Sequence, residues 1–411
     1  MSDQAVQPEA STARARGFAA DVAAPRRSWL GQAGLRLLGK WGARLGLLWV
    51  VLLVLLAVFA PLIASSHPLA WKRGGEVTSP WLSNLTWLDV TLFVGFAAAI
   101  VAVLVQRLTR CGAGAATLAW IGIVLLTGVI CIVAIAPARN VEFKQYRVAV
   151  AEGSVEWVVF APLPYSPNDR QHDRLAAEGV NPNYLPPSAR HPMGTTMTGS
   201  DVLSRMIHAS RIALAIGLVA TGIAVSIGIV VGGLMGYFAG WVDLLGMRLV
   251  EIFSAVPVIF LLIMIVAMWG PSLMLMMVVI GLTGWVGYAL FIRAEFLRIR
   301  RSEYVEAGRA LGLPLWSILF RHMLPNGVTP VLVLASFGIA SAILTESTLS
   351  FIGLGLEEEP SWGQMLDQAR RAPEQWGLAI FPGLAIFLTV FAYNLIGEAL
   401  RDAIDPKAEN H

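Results

Sequence analysis

Long apolar blocks alternate with short polar breaks along most of the chain. Eight blocks stand out: 45–64, 88–105, 117–136, 212–237, 249–268, 273–292, 331–352 and 378–397. A helix needs about 20 apolar residues to cross the hydrocarbon of a bilayer. Backbone groups in lipid must be satisfied within their own segment, so continuous apolar runs of this length mean helices rather than barrel strands. The pattern predicts an all-α polytopic membrane protein with about eight spanning helices. The block 88–105 is the least regular, being short and beginning beside Asp89.

The polar breaks are unequal. The stretch 293–329 keeps a helical pattern and carries six arginines against three glutamates. It is far longer than a connector between two membrane helices requires. Glu303 to Leu311 is good helix material, with Ala307, Gly308 and Ala310 giving a thin face. Gly312 suits a C-terminal cap and Pro314 the first turn of a second helix. Leu324-Pro325-Asn326 is expected to break that second helix just before the next span. Two short helices with a bend would lie on the membrane surface as a handle. On pattern alone, such a handle serves either a soluble partner or merely the membrane surface.

Charge orients the set. The tail 1–44 is basic, and Arg107, Arg110, Arg248 and the arginines of 293–321 fall on its side if all eight blocks span. The positive-inside rule makes that side cytoplasmic. Both termini and the handle are then cytoplasmic, and three spans precede the one sizeable external loop, 138–210. Within that loop, Val148–Ala151 and Val155–Val158 alternate around Glu152-Gly153-Ser154, which predicts a β-hairpin. The basic leader is too long for a cleaved secretory signal, and the block after it is long enough to span a bilayer. The tail up to about Arg27 is expected to be disordered.

Composition agrees. Of 411 residues 56% are hydrophobic and 14% charged, well below the charged fraction of soluble domains, and the net charge is +3. The two cysteines, Cys111 and Cys131, suggest neither a disulfide framework nor a metal site. No two of the six histidines have the i, i+4 spacing of a helical metal pair. No phosphate-binding loop or nucleophile elbow is present, which argues against an internal ATPase or hydrolase.

Two intramembrane features carry candidate function. Gly228, Gly232, Gly236 and Gly240 recur at intervals of four and give one helix a smooth strip. Such strips allow close helix packing in lipid or form a sliding surface between the halves of a transporter. Glu346 lies inside the seventh block, where an ionisable group is costly and usually faces a cavity or partner. A structural hydrogen-bonded role, a place on a substrate path and proton coupling all fit it.

At Glu306-Ala307-Gly308-Arg309-Ala310-Leu311-Gly312 the chain resembles the cytoplasmic loop of binding-protein-dependent ABC importer permeases, whose core reads Glu-Ala-Ala, three residues, then Gly. Glu306, Ala307 and Gly312 match, and Gly308 stands at the second Ala. His322-Met323-Leu324-Pro325-Asn326 matches the peptide-importer form. The similarity runs from about His191 to Pro406. It includes Gly236-Tyr237-Phe238-Ala239-Gly240-Trp241-Val242-Asp243, the segment around Ser350-Phe351-Ile352-Gly353-Leu354-Gly355, and Leu400-Arg401-Asp402-Ala403-Ile404-Asp405-Pro406. Together these resemble the second permease subunit of the dipeptide, oligopeptide and nickel group.

The resemblance implies a type I ABC importer permease core at 211–400 behind three helices in 45–137, with a short cytoplasmic tail at 401–411. It implies a sister permease, two cytoplasmic ATPase subunits and an external solute-binding protein, in a bacterial inner membrane. ATP and magnesium would sit on the ATPases, with no cofactor on this chain and no enzymatic activity of its own. Glu303, Glu306, Ala307, Gly308, Gly312, Pro325 and Asn326 would form the ATPase-coupling element of the loop 293–329. Two departures are visible. Gly194-Thr195-Thr196-Met197-Thr198-Gly199-Ser200-Asp201 lacks the acid and the arginine usual there, and the three helices before the loop exceed the usual one. Peptide is the expected substrate, with nickel as the alternative. A secondary transporter coupled through Glu346 would depend on an ion gradient, and a scaffold built on the 138–210 loop would bind ligand without transport. Nucleic acid is not an expected partner.

Overall fold

A computed structural model describes residues 37–109, 113–134, 143–171, 173, 179–356 and 359–404. Most of the basic tail, Cys111 and the last residues of the chain lie outside that set. In chain order the elements are α1 (Trp41–Ile63), β1 (Ala70–Arg73), β2 (Glu76–Thr78), α2 (Pro80–Ser83), α3 (Trp87–Thr109), α4 (Ala113–Ala134), α5 (Lys144–Ala151) and β3 (Trp157–Val159). There follow α6 (Val202–Phe238), α7 (Gly240–Ala255), α8 (Val258–Trp269), α9 (Leu273–Ile299), α10 (Glu303–Ala310), a π-helical segment Ser317–Met323 and α11 (Leu324–Gly327). The chain closes with α12 (Thr329–Leu349), a second π-helical segment Ser350–Leu354, α13 (Trp362–Arg371) and α14 (Trp376–Ile404).

Among the described residues six helices are long and apolar enough to cross a membrane, and the α7–α8 pair makes a seventh if it counts as one bent span. The expected straight span 249–268 is instead broken by a bend of 70°. Pro257 is the cause: a residue before proline is pushed out of the α region, and Val256 is extended at φ −91, ψ 118. The third expected span corresponds to α4, whose apolar stretch in the described residues, Ala119–Ala134, is shorter than the others. The fourth starts ten residues before its expected point, because Asp201 caps α6 by accepting from the backbone N–H of Ser204 at 2.8 Å.

The long helix α6 is the axis of the fold. It packs along α9 over most of its length and also touches α1, α7 and α12, while α14 closes on α1, α12 and α13. One apolar cluster joins Leu53 and Ala57 of α1 to Ala213, Ile343, Trp362, Met365 and Tyr393. A second, at the opposite end of the molecule, gathers Tyr288, Ile292, Phe296, Ile299, Val305, Ile318 and Met323. Burying one large aliphatic or aromatic side chain contributes about 1.5–3 kcal/mol where the alternative is water.

The added helices α3 and α4 form a hairpin resting on α1. Asp89, the residue that made this span look irregular, is buried. Its carboxylate accepts from Arg211 Nη1 of α6 at 2.6 Å, while Arg211 Nε also donates to the Ala57 carbonyl of α1 at 2.6 Å. The extra hairpin is thereby fastened to the core by a buried charge pair.

The expected hairpin at 148–158 does not form. Lys144–Ala151 is helical, with Tyr146 and Ala149 as its buried face. Only Trp157–Val159 is extended, and it pairs with β1, far away in sequence, in a three-stranded sheet of order β2-β1-β3. The apparent alternation of Val148, Ala149, Val150 and Ala151 is equally one stripe of a short amphipathic helix, and tertiary packing decides between them. The loop-side domain therefore includes residues 64–86 as well as the predicted loop. Trp81 Nε1 fastens this segment to α1 by donating to the Pro61 carbonyl at 2.8 Å.

Candidate functional site

The handle forms as two short helical pieces around a bend. Ser302, extended at φ −77, ψ 146, starts α10, and its carbonyl accepts from Val305 and Glu306 at 3.0 and 3.1 Å. Glu303 and Glu306 occupy the first turn and Arg309 the last, the arrangement that complements the helix dipole. Gly312 stops the helix with φ +69, a conformation that only glycine adopts readily. The N–H of Gly312 reaches the Arg309 carbonyl at 3.0 Å and that of Leu313 the Gly308 carbonyl at 3.1 Å. This pair of bonds is the Schellman closure.

The two faces of α10 differ sharply. Val305 is 1% exposed and Gly308 is buried, both turned toward the second apolar cluster. Glu303, Tyr304, Glu306, Ala307 and Ala310 are exposed, and Leu311 leaves 79% of its surface open. The ridge available to a partner thus carries Glu303, Glu306 and Ala307, whereas Gly308 belongs to the inner face. A methyl group at Gly308 would meet only Leu313 Cδ1, at 3.4 Å. The position therefore has room for alanine.

After Pro314 the second piece begins, and it widens into the π-helical segment. The expected break at Leu324-Pro325-Asn326 is absent. Pro325 sits near the N-terminus of α11, and the interruption falls at Val328 instead. A proline removes one helical donor and crowds the carbonyl four residues earlier, and a widened turn immediately before it relieves that conflict. Asn326 Nδ2 donates to the His322 carbonyl at 2.8 Å and to Tyr304 Oη at 3.4 Å, which ties the second piece back to α10. Trp316 stacks on Phe320 with ring centroids 5.1 Å apart and stays 62% exposed.

Two contacts that sequence reasoning did not find link the handle to the spans. The Arg309 guanidinium lies over the Tyr237 ring at the end of α6, 4.5 Å from its centroid. Arg293 of α9 forms a two-pronged ion pair with Asp243 at the start of α7, its Nη2 donating to Oδ2 at 2.7 Å. Opposite charges at the ends of neighbouring blocks were the available signal for the second pair.

The glycine strip packs within the chain. A Cβ on Gly228 would fall 2.5 Å from Tyr288 Cβ, and one on Gly236 2.5 Å from Phe296 Cβ. One on Gly232 would strike the Ala289 carbonyl oxygen. These three glycines let α6 and α9 approach closely. Gly240 stands apart: it has open space around it and begins α7 with φ +54.

Glu346 is buried near the opposite end of α12. Its Oε1 accepts from Ser350 Oγ and Ser361 Oγ, each at 2.7 Å, and its Oε2 from Ser347 Oγ at 3.3 Å. Ser361 is also the N-cap of α13, accepting from the Gly363 N–H at 3.1 Å. The carboxylate thus holds the π-helical segment and the start of α13 against α12.

In the altered segment at 194–201 the tight turn survives without its charges. The Thr196 N–H donates to the Ser200 carbonyl at 2.8 Å, and Thr196 Oγ1 accepts from the Ser200 N–H at 3.1 Å. Asp201 remains, paired to His191 Nδ1 at 2.8 Å. Nearby, Arg147 bridges Asp169 and Asp173, each at 2.6 Å. Burial raises the Asp173 carboxyl, but the Arg147 guanidinium outweighs it and holds the group below its ordinary range. Among the described residues no cluster of three His, Cys, Asp or Glu side chains is placed to hold a metal ion.

Comparison with known sequences matches residues 228–410 to the family described as binding-protein-dependent transport system inner membrane component. The chain is 38% identical over 281 residues to a glutathione transport system permease protein of Pectobacterium atrosepticum, covering 65% of this chain and 90% of that protein. It is 36% identical over 256 residues to an oligopeptide transport system permease protein of Haemophilus influenzae, covering 61% and 80%. A dipeptide transport system permease protein of Bacillus subtilis is 37% identical over 267 residues, covering 64% and 83%.

Proposed function

Because the chain belongs to the binding-protein-dependent transport system inner membrane components, as a permease subunit of the peptide group of ABC importers, we propose that it moves short peptides across the inner membrane by alternating access. The observation that carries this reading is the exposed ridge of α10, Glu303, Glu306 and Ala307, held on a core anchored by Val305. That ridge docks on a partner ATPase, which binds ATP and magnesium and hydrolyses the nucleotide. The set of partners is a sister permease, two such ATPases and an external solute-binding protein.

Rigidity supports coupling. A partner that pulls on the ridge pulls on Val305 and the Arg309–Tyr237 contact, and so on α9 and α6 together. Orientation follows from charge and connectivity. Lys40 before α1 pairs with Asp402 at the end of α14, which puts the two ends of the described chain together. Gly397 of α14 lies beside Phe337 of α12, the helix that leaves the handle, and α13 joins the far ends of the two. The two ends of the described chain therefore share the handle's side, and the arginine excess of 293–329 supports a cytoplasmic placement of that side.

Relatives transporting glutathione, oligopeptides and dipeptides favour peptide over nickel as the cargo. The test is uptake of a labelled dipeptide into vesicles holding the permease pair, ATPases and binding protein. ATP-dependent uptake that survives collapse of the proton and sodium gradients is the expected result. Uptake that persists without the ATPases and fails without a gradient overturns it.

A further inference from the structure

The loop-side domain carries a pocket that transport coupling does not use. It measures about 390 Å³ and is lined by Trp71, Arg73, Thr78, Ser79, Ser83 and Tyr146, among others. Its volume lies in the range of small-ligand sites, about 300–1,000 Å³. Alternation along β1 puts Trp71 and Arg73 on one face of the sheet and Lys72 on the other.

The floor is fixed before any ligand arrives. Trp71 Nε1 donates to Thr78 Oγ1 of the paired strand at 2.7 Å. The Tyr146 ring of α5 meets the Trp71 ring edge-on, with centroids 5.4 Å apart, and Tyr146 is 6% exposed. Ser79 Oγ and Ser83 Oγ donate to the Leu69 and Pro80 carbonyls, and Ser83 Oγ also accepts from Asn84 Nδ2 at 3.4 Å, so neither hydroxyl proton is left for a guest.

Among the described residues that line the pocket the one cation is Arg73, exposed, with its guanidinium 5.9 Å above the Trp71 ring. Its neighbours share their charges differently. Lys72 is paired with Glu156 at 2.6 Å, and Glu156 also accepts from the Gly75 N–H at 3.2 Å. Glu76, opposite Arg73 in the strand register, forms no ion pair with it. An arginine fork held beside an aromatic wall recognises a planar anion two-handedly while the ring covers an apolar group next to it.

We infer that this pocket binds a carboxylate carried beside an aromatic or apolar group, with Arg73 as the anion contact and Trp71 and Tyr146 as the apolar wall. The inference does not depend on the cargo of the importer, because the pocket is built from β1, β2, α2 and α5, outside the family-matched residues 228–410. Glu76, opposite Arg73 in the strand register, sets a like charge beside an incoming carboxylate.

The experiment uses the purified full chain in lipid nanodiscs and saturation-transfer NMR titrations. The probes are N-acetylphenylalanine, its C-terminal amide, and N-acetylaspartylphenylalaninamide, whose only carboxylate is on a side chain. At least one carboxylate probe should saturate, with the plain amide at least tenfold weaker; the better carboxylate probe identifies a main-chain or side-chain source. Arg73→Gln should weaken binding tenfold or more, Arg73→Lys should keep part of it, and Trp71→Leu should weaken it as well. Glu76→Gln should tighten it, an effect that damage to the fold would not produce. Equal binding of the plain amide, no effect of Arg73→Gln, or no saturable binding at millimolar probe overturns the inference. Vesicle uptake is a separate readout, so loss of this site and loss of the transport reading are distinguishable.

Discussion

The guanidinium of Arg309 stacks over the ring of Tyr237, joining the last turn of α10 to the end of the longest span. The contact couples a surface element to the axis of the fold through one pair. A cation–π contact at an exposed site contributes about 0.5–1 kcal/mol, a factor of roughly 2–5 in an equilibrium. Arg309→Ala is therefore expected to lower peptide transported per ATP hydrolysed by about that factor, with membrane levels of the chain unchanged. Tyr237→Leu should do the same, and the double variant should lose little more than either alone. Additive losses would show that the two residues act separately.

The two faces of α10 predict opposite sensitivities. Glu306→Lys changes the exposed ridge, so it should abolish co-purification of the ATPase without altering thermal stability. Gly308→Ala should be silent, since its methyl meets Leu313 at ordinary contact distance. Gly308→Phe should lift the helix from Val305's pocket and damage stability and coupling together. Co-purification and melting curves on the three variants check this; ATPase association that survives Glu306→Lys would remove the ridge from the docking surface.

Close approach of α6 and α9 makes a graded test. A Cβ at Gly232 would collide with the Ala289 backbone, which cannot rotate away, whereas one at Gly222 meets nothing. Overpacking a tight interface costs about 1–3 kcal/mol or more. Gly232→Ala should lower the yield of folded protein and its melting temperature, while Gly222→Ala should leave both intact. Equal behaviour of the two would mean that the strip does not set helix spacing.

Glu346 gives a test of anchoring against proton coupling. Glu346→Ala leaves three serine hydroxyls without their acceptor, and an orphaned buried polar group costs about 1–3 kcal/mol. Protection of the 350–363 backbone against hydrogen exchange should fall, and Glu346→Gln should restore much of it by keeping an acceptor oxygen. ATP-driven uptake by Glu346→Gln should remain insensitive to the proton gradient. A gain or loss of gradient dependence would return this residue to a transport role.

Much of this was legible in the chain because lipid leaves few options. Apolar length located the spans, and Gly312 with Pro314 located the bend, since each signal reflects a local backbone requirement. What stayed hidden depended on distant partners. The helix at Lys144–Ala151 reads as a strand until Tyr146 finds Trp71, and β3 exists only because β1 offers it an edge. Likewise Asp89 looked like a flaw in a span until Arg211, on another helix, neutralised it. Pro257 was visible, but the size of the bend it introduces was set by packing of α7 and α8 against α6 and α9.

His67 supplies a pH prediction for the loop-side domain. Its ring sits between Phe143 and Tyr146, each 5.4 Å away between centroids. Burial lowers its imidazole to about 4, against a weaker upward pull from Asp169. The unfolded chain takes up a proton near pH 6.5, whereas the folded domain refuses one until about pH 4. Stability from this residue is therefore full above pH 6.5 and lost progressively as pH falls toward 4, by on the order of 2 kcal/mol once solvent screening is allowed for. Hydrogen exchange in residues 143–159 should accelerate between pH 7 and pH 5, after correction for the intrinsic rate. His67→Phe fills the same aromatic box without a titrating group and should flatten that dependence. If parent and variant respond alike to acid, the sensitivity belongs to another group, with the Arg147–Asp173 pair the next to replace.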